Sequence, residues 1–302
     1  MFIVAQRKLF FALTGILVLL SVGSVAFFGL QFGIDFTGGS LVQVEYDGER
    51  PTQEALTSTL RDAGFEGFSL RQSGENGYTL RAAAISDDQR GDLASIFTYQ
   101  GGTASVTQLT EIGPTIGVEL RNKAYVALAL VLACILLFIA FVFRKVSEPV
   151  SSWVYGLIAL ATLAFDVLIP IGFFAFLGSL TGAQIDTLFV TAILTVLGYS
   201  VHDTIVVFDR TRENLRILEE KGRKEDFATT AGRSLQQTLV RSITTSLTTV
   251  IALVALYILG PESTQNFALT LLVGIIAGTY SSIFFATPLL VAYDRFKSKR
   301  GS

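Results

Sequence analysis

Six long apolar stretches leave this chain few ways to fold. They fall at about 9–30, 122–143, 153–178, 187–208, 242–260 and 267–291, each of about 18–25 residues. At a rise of about 1.5 Å per residue, roughly 20 helical residues cross the ~30 Å hydrocarbon core of a bilayer. Lipid offers the backbone no hydrogen bonds, so each stretch has to satisfy its own as a helix. Charged residues are 16% of the 302, against roughly 25% in soluble domains, and the mean hydropathy is +0.55. A polytopic helical membrane protein is expected, and an ordinary soluble enzyme is excluded.

The charge pattern sets an orientation. Lys and Arg gather at Arg7 and Lys8, at Arg144 and Lys145, along 210–233, and from Arg295 to Arg300. The short loops at 179–186 and 261–266 have neither. The positive-inside rule then puts both termini in the cytoplasm and residues 31–117 outside it. Arginines within that exported segment do not oppose this, because long domains translocate largely regardless of charge. Cys134, in the second span, is the only cysteine, so the exported domain folds without an internal disulfide. Ser24-Val25-Ala26 resembles a signal-peptidase site, yet the apolar run continues through Leu30. That is longer than a typical signal core, so the first span is expected to stay as an anchor.

The expected domains are 1–30, the N-terminus and first span; 31–117, an exported domain; and 118–302, spans two to six with cytoplasmic loops and C-terminus. Within 31–117, the run Leu41-Val42-Gln43-Val44-Glu45-Tyr46 alternates in the strand period. Residues 51–63 suit a helix, with Pro51 at its start and Gly64 just past its end. Strand-like runs at 67–72 and 77–83 flank the turn cluster Ser73-Gly74-Glu75-Asn76. Ser86 can cap a helix to Phe97, with Asp87 and Asp88 in its first turn, and a last strand runs over 104–110. The order β-α-β-β-α-β predicts a small α+β ferredoxin-like domain. The loop at 144–151 is tight, and Pro149 with Ser151-Ser152 can start the third span. Arg210 to Lys221 extends the fourth helix pattern into water with mixed charges. In the sixth span Gly274, Gly278, Ser282 and Ala286 form a stripe of small residues. Another helix can approach closely along it, within this chain or from a second protein.

Three ionisable residues stand out among the apolar spans. Asp203 lies in the fourth, Asp166 in the middle of the third, and Arg241 at the start of the fifth. A charge at a span's centre costs at least roughly 2.5–3.5 kcal/mol, so such residues mark proton or ion paths or satisfied bundle interiors. Asp203 and Arg241 fall in the cytoplasmic halves of neighbouring spans and can meet. Arg241 can instead snorkel to the interface. Thr244, Thr245 and Thr248 follow Arg241 at helical spacing, a polar stripe for a hydrated cavity or a helix–helix seam. Pro170 stands four residues after Asp166 and deprives its carbonyl of a helical partner, so a polar hinge or a locally satisfied acid fits there. His202, the lone histidine, can tune a pH response or stand by.

Other chemistries lack their residues. One histidine without partners at ligand spacing makes no metal site. No Walker-type loop is present, and a membrane-embedded histidine makes no Ser-His-Asp set. No catalytic residue, cofactor or nucleic-acid partner is expected. Energy, if used, comes from an ion gradient.

Two motifs go further. After the first span the chain reads Gly33-Ile34-Asp35-Phe36-Thr37-Gly38-Gly39. The fourth span holds a run from Gly198 through His202-Asp203-Thr204 to Asp209-Arg210-Thr211-Arg212-Glu213-Asn214, and the fifth opens Val240-Arg241-Ser242-Ile243-Thr244-Thr245-Ser246. Together they resemble the SecF family of the bacterial Sec export machinery, over essentially the whole chain. The resemblance implies an RND-like six-helix membrane bundle in the inner membrane. It implies pairing with SecD, association with the SecYEG channel and a YajC-like subunit, contact with lipids and unfolded precursors, and use of the proton gradient. It maps the family's intramembrane acid to Asp203, its arginine to Arg241, and a recurrent acidic position to Asp166. His202 departs from the asparagine expected there. An Asp–Arg pair weakens when the acid is protonated, so a proton entering from outside can release helices to shift. Gly33, Asp35, Phe36, Gly38 and Gly39 would form the hinge motif through which such a shift swings the exported domain. Three rivals remain: an RND-like exporter of lipid or small molecules, a passive scaffold, and an intramembrane aspartyl protease. The last needs two acids in one site and a GxGD motif that this chain lacks.

Overall fold

The computed structural model describes residues 2–65, 67–83, 85–98, 104–143 and 150–300. Arg144, Lys145 and Pro149 of the second loop lie outside them. The elements run α1 (Phe2–Ala5), α2 (Arg7–Phe28), α3 (Ile34–Thr37), β1 (Gly39–Tyr46), α4 (Gln53–Asp62), β2 (Ser69–Ser73), β3 (Gly77–Ala82), α5 (Asp87–Phe97) and β4 (Ala104–Ile112). There follow α6 (Pro114–Val142), α7 (Ser152–Thr181), α8 (Thr187–Glu220), α9 (Phe227–Leu259), α10 (Glu262–Ser281), a π-helical turn (Ser282–Ala286) and α11 (Thr287–Arg300). Among the described residues, six helical segments are long and apolar enough to cross a membrane: α2, α6, α7, α8, α9, and α10 through α11 taken together. The described residues form two compact units. One comprises 1–30, 126–183 and 188–302; the other comprises 31–125 with 184–187.

The second unit is built on one antiparallel sheet of order β2-β3-β1-β4, the ferredoxin-like arrangement that β-α-β-β-α-β chains adopt. The strand period does the sorting. Val42, Val44 and Tyr46 of β1 point inward, where they meet Leu56 and Leu60 of α4, Leu80 of β3 and Phe97 of α5. Thr52 caps α4 by accepting from the amide of Ala55. Ser86 and Gln89 close a reciprocal capping box on α5, which satisfies two amides that the helix start leaves free. The tyrosine hydroxyl of Tyr46 donates to the Phe97 carbonyl at 2.9 Å across that core. The helix of the second span starts well before its apolar run, at Pro114, because proline suits the first helical turn.

In the other unit α7 and the last span are the most enclosed, and α2, α8 and α10 touch α7. α2 runs close to α7 at Gly172, where any Cβ would come within 2.4 Å of Ser21 Cα; Ser24 Oγ donates to the Gly172 carbonyl at 2.7 Å. α10 approaches α8 just as closely. A Cβ on Gly274 would meet Val196 at 2.3 Å, and one on Gly278 would meet Ser200 Oγ at 2.8 Å. The small-residue stripe therefore packs inside this chain. After it the helix widens into the π turn at Ser282–Ala286. Pro288 explains the position: it has no N–H for the carbonyl four residues earlier, and its ring pushes that carbonyl aside. At the end of α8, Asn214 donates to Ser234 Oγ at 2.8 Å and to Gln237 Oε1 at 2.9 Å on α9. Arg210 reaches the same Gln237 oxygen at 2.6 Å.

Candidate functional site

The intramembrane acids sit on helices that the apolar pattern makes long and uninterrupted. Asp166 is on α7 and Asp203 on α8, with exposures of 0% and 5%. Burying an unpaired carboxylate is costly, so its partners matter. Ser200 Oγ donates to Asp166 Oδ2. Asp166 Oδ1 has no hydrogen-bond partner among the described residues. α7 continues through Pro170, which offers no N–H to the Asp166 carbonyl. Gly278 makes room for Ser200 here, and Ser281 lies beside the acid while donating to the Gly278 carbonyl at 3.1 Å.

One turn along α8 from Ser200, Asp203 meets α9. Ser246 Oγ donates to its Oδ2 at 3.5 Å, a long contact, and Ser242 stands beside it short of hydrogen-bond geometry. Ser242 and Ser246 are one helical turn apart and buried. One turn further from the carboxylate, Tyr199 and Thr249 join α8 to α9 through their hydroxyls at 3.2 Å. The hydroxyls beside the two acids, of Ser200, Ser281, Ser242 and Ser246, all belong to serines, small enough to let helices approach and able to hydrogen-bond either state of a carboxyl.

The remaining expected residues are placed as follows. Arg241 is exposed on this chain and makes no ion pair with Asp203 among the described residues, though it is near enough to act on it through space. Thr244, Thr245 and Thr248 share its exposed side of α9, so no helix of this chain covers the polar stripe. His202 is exposed while its neighbour Asp203 is buried, the divergence expected of adjacent helical positions. Asp166 and Asp203 engage different helices and do not share a hydrogen bond among the described residues, unlike a paired-acid protease site. Ser200, Ser242, Ser246 and Ser281 were not singled out in the sequence. The spacing of Ser242 and Ser246 was the available signal, and the neighbouring threonines masked it.

In the sheet-bearing unit, Gly33, Ile34, Asp35, Phe36, Gly38 and Gly39 form a tightly packed corner. Ile34 and Phe36 are buried in the one-turn helix α3. Gly38 and Gly39 have φ of 75° and 123°, and a Cβ on either would lie 2.7 Å from backbone atoms of Pro114 and Ala82 respectively. Glycine is the residue that fits both demands.

A helical bundle with carboxylates buried at its internal seams, joined to a ferredoxin-like sheet domain, defines a multi-pass membrane protein of transporter-like build. The profile "Protein export membrane protein SecD/SecF, C-terminal" matches residues 93–295, and "SecD/SecF GG Motif" matches 23–49. The chain belongs to the SecD/SecF family of protein export membrane proteins. It is 41% identical to the protein translocase subunit SecF of Thermobaculum terrenum, over 97% of this chain and 93% of that one. With the SecF subunit of Anaerolinea thermophila the identity is 37%, covering 97% and 94%. The crystal structure of Thermus thermophilus SecDF, described as translocon-associated, superposes with a TM-score of 0.85 at 33% identity. That match covers 97% of this chain and 38% of the longer SecDF chain.

Proposed function

We propose that this chain is a SecF-type accessory subunit of Sec protein export in a bacterial inner membrane, with both termini in the cytoplasm. It pairs with a SecD-type chain, and the pair acts with the SecYEG channel, and a YajC-like subunit, on precursor proteins. Asp203 is the proton-coupled switch. The carrying observation is a carboxyl buried between α8 and α9 with hydroxyl neighbours and no ion pair among the described residues. Such surroundings suit the acid with its proton. On losing it, the carboxylate needs a charge partner, and Arg241 on the adjoining helix is close enough to act on it through space. Pairing them requires α8 and α9 to move relative to one another. Proton flow down its gradient thus drives alternation between a hydroxyl-bonded and an arginine-paired arrangement. Asp166, held by Ser200 one turn along α8, offers a second relay position.

The uncovered stripe of Arg241, Thr244, Thr245 and Thr248 supports the partner. Polar side chains on a span's outer face are costly in lipid and are at home against another protein. The test is export of a secreted reporter in cells carrying Asp203→Asn, with abundance and complex assembly verified. Lost export with intact assembly is expected. Normal export would remove the switch.

A further inference from the structure

The GIDFTGG corner does more than join the first span to the sheet. Residues 184–187, which link α7 to α8, belong to the sheet-bearing unit. They are held there by a compact set of bonds. Phe32 and Ile185 form a parallel β-bridge. Ile185 donates to the Gln31 carbonyl at 2.8 Å, and Gly33 donates to the Ile185 carbonyl at 2.8 Å. Asp35 Oδ2 accepts from the amide of Thr187, the first residue of α8, at 2.8 Å. The first amides of a helix have no partner within it, and a carboxylate there also meets the positive end of the helix dipole. Asp35 therefore caps the helix that carries Asp203, from 152 positions away. Arg81, on β3, lies near both Asp35 and Asp186, with Nη1 buried and unpartnered among the described residues. Burial, then the neighbouring Arg71, holds its guanidinium down at about 10, with the two aspartates opposing.

We infer that Asp35 is a positioning residue that clamps the exported domain to the start of α8, so that displacement of the Asp203 helix is delivered directly to the base of the sheet. The corner is tightly packed: a Cβ added at Gly33, Gly38 or Gly39 would crowd neighbouring backbone. β1 begins at Gly39, the last residue of the corner, so movement imposed at Thr187 enters the sheet through one of its two central strands. This inference rests on the switch reading of Asp203.

The experiment uses the full complex in a Cys134→Ser background. Asp35→Ala removes the cap, whereas Asp35→Asn keeps an acceptor for the Thr187 amide. Phe32→Cys with Ile185→Cys places two thiols at bridge partners, within the span of a disulfide. Asp35→Ala is expected to lose most export with assembly intact, Asp35→Asn to retain it, and oxidation of the cysteine pair to restore export in Asp35→Ala. In the Asp35 background the oxidised pair is expected to export normally. Normal export by Asp35→Ala, or loss of export on oxidation that reductant reverses, overturns the clamp. If Asp35→Ala fails to assemble, the oxidised pair in the Asp35 background decides alone. Asp203→Asn is run beside them. Should it export normally, the switch reading has failed; should only Asp203→Asn be inactive, the clamp has failed.

Discussion

Tyr46 exposes one consequence of burying a hydroxyl in so small a core. Burial, and then the neighbouring Tyr78, push it up to about 12. A phenol whose folded value lies above its unfolded one contributes stability that is complete below about pH 10 and is lost as pH rises toward 12. Thermal melting of the sheet-bearing unit should therefore fall steeply across that window. Tyr46→Phe should flatten the decline, at a neutral-pH cost of about 1 kcal/mol for the orphaned Phe97 carbonyl. Gly38→Ala is expected to be harsher, about 1–3 kcal/mol, because it meets both a left-handed φ of 75° and the Pro114 backbone; lowered steady-state abundance would report it. At this scale the sequence was readable wherever cost singled a residue out. Asp203 and Asp166 were conspicuous because acids are expensive in apolar spans. Their serine partners were not, because a serine in a span costs little and many do nothing. That Asp35 bonds to Thr187 could not be read at all, since nothing local links residues so far apart.

Among elements, the short amphipathic pieces were the most legible. The period of β1, the Ser86 cap and the order of strands and helices all appear in the structure, because each is a local rule with a local cause. Helix ends in the membrane were less so. α6 begins at Pro114 and α9 at Phe227, both well outside their apolar runs, since a helix continues into water when caps and polar partners sustain it. The stitching of Asn214 to Ser234 and Gln237 shows what sustains α8 and α9 there. The expectation of a merely solvated extension missed it. Packing between spans yields a sharp prediction. Gly274→Leu places its side chain where Val196 already sits and should separate α10 from α8, whereas a Cβ at Gly15 has no described atom within 4 Å, so Gly15→Leu serves as the control. Protein abundance and resistance to heat-induced aggregation in detergent should drop for the first and hold for the second.

For the whole molecule, the telling property is incompleteness. α6 and α9 are scarcely buried within the chain, while α7 is enclosed. α6 is apolar throughout its span and sits comfortably in lipid, but α9 also carries Arg241 and three threonines on its exposed side. A partner over α9 is expected to shield them. In a Cys134→Ser background, which removes the native exposed thiol, Thr245→Cys should react with a membrane-permeant maleimide when the chain is made alone and become protected when the SecD-type chain is made with it. Equal labelling in both would mean that this stripe faces water or lipid in the complex. Architecture of the single chain was legible from six apolar runs. What surrounds it was not, because an outward-facing threonine and an interface threonine are the same letter.

The π turn at Ser282–Ala286 leaves the last span wound slightly out of phase with itself. One surplus residue in a helix rotates everything beyond it by about 100°. Upstream, Gly274 and Gly278 lie against α8; downstream, Ala286, Leu290 and Val291 still point into the aromatic cluster of Phe143, Tyr155 and Phe208. Without the surplus residue, the two halves of that span could not both keep their backs to the lipid. The bulge works like a splice between two misaligned threads, and removing a single residue from it would unscrew the C-terminal half from the bundle while leaving every other letter in place.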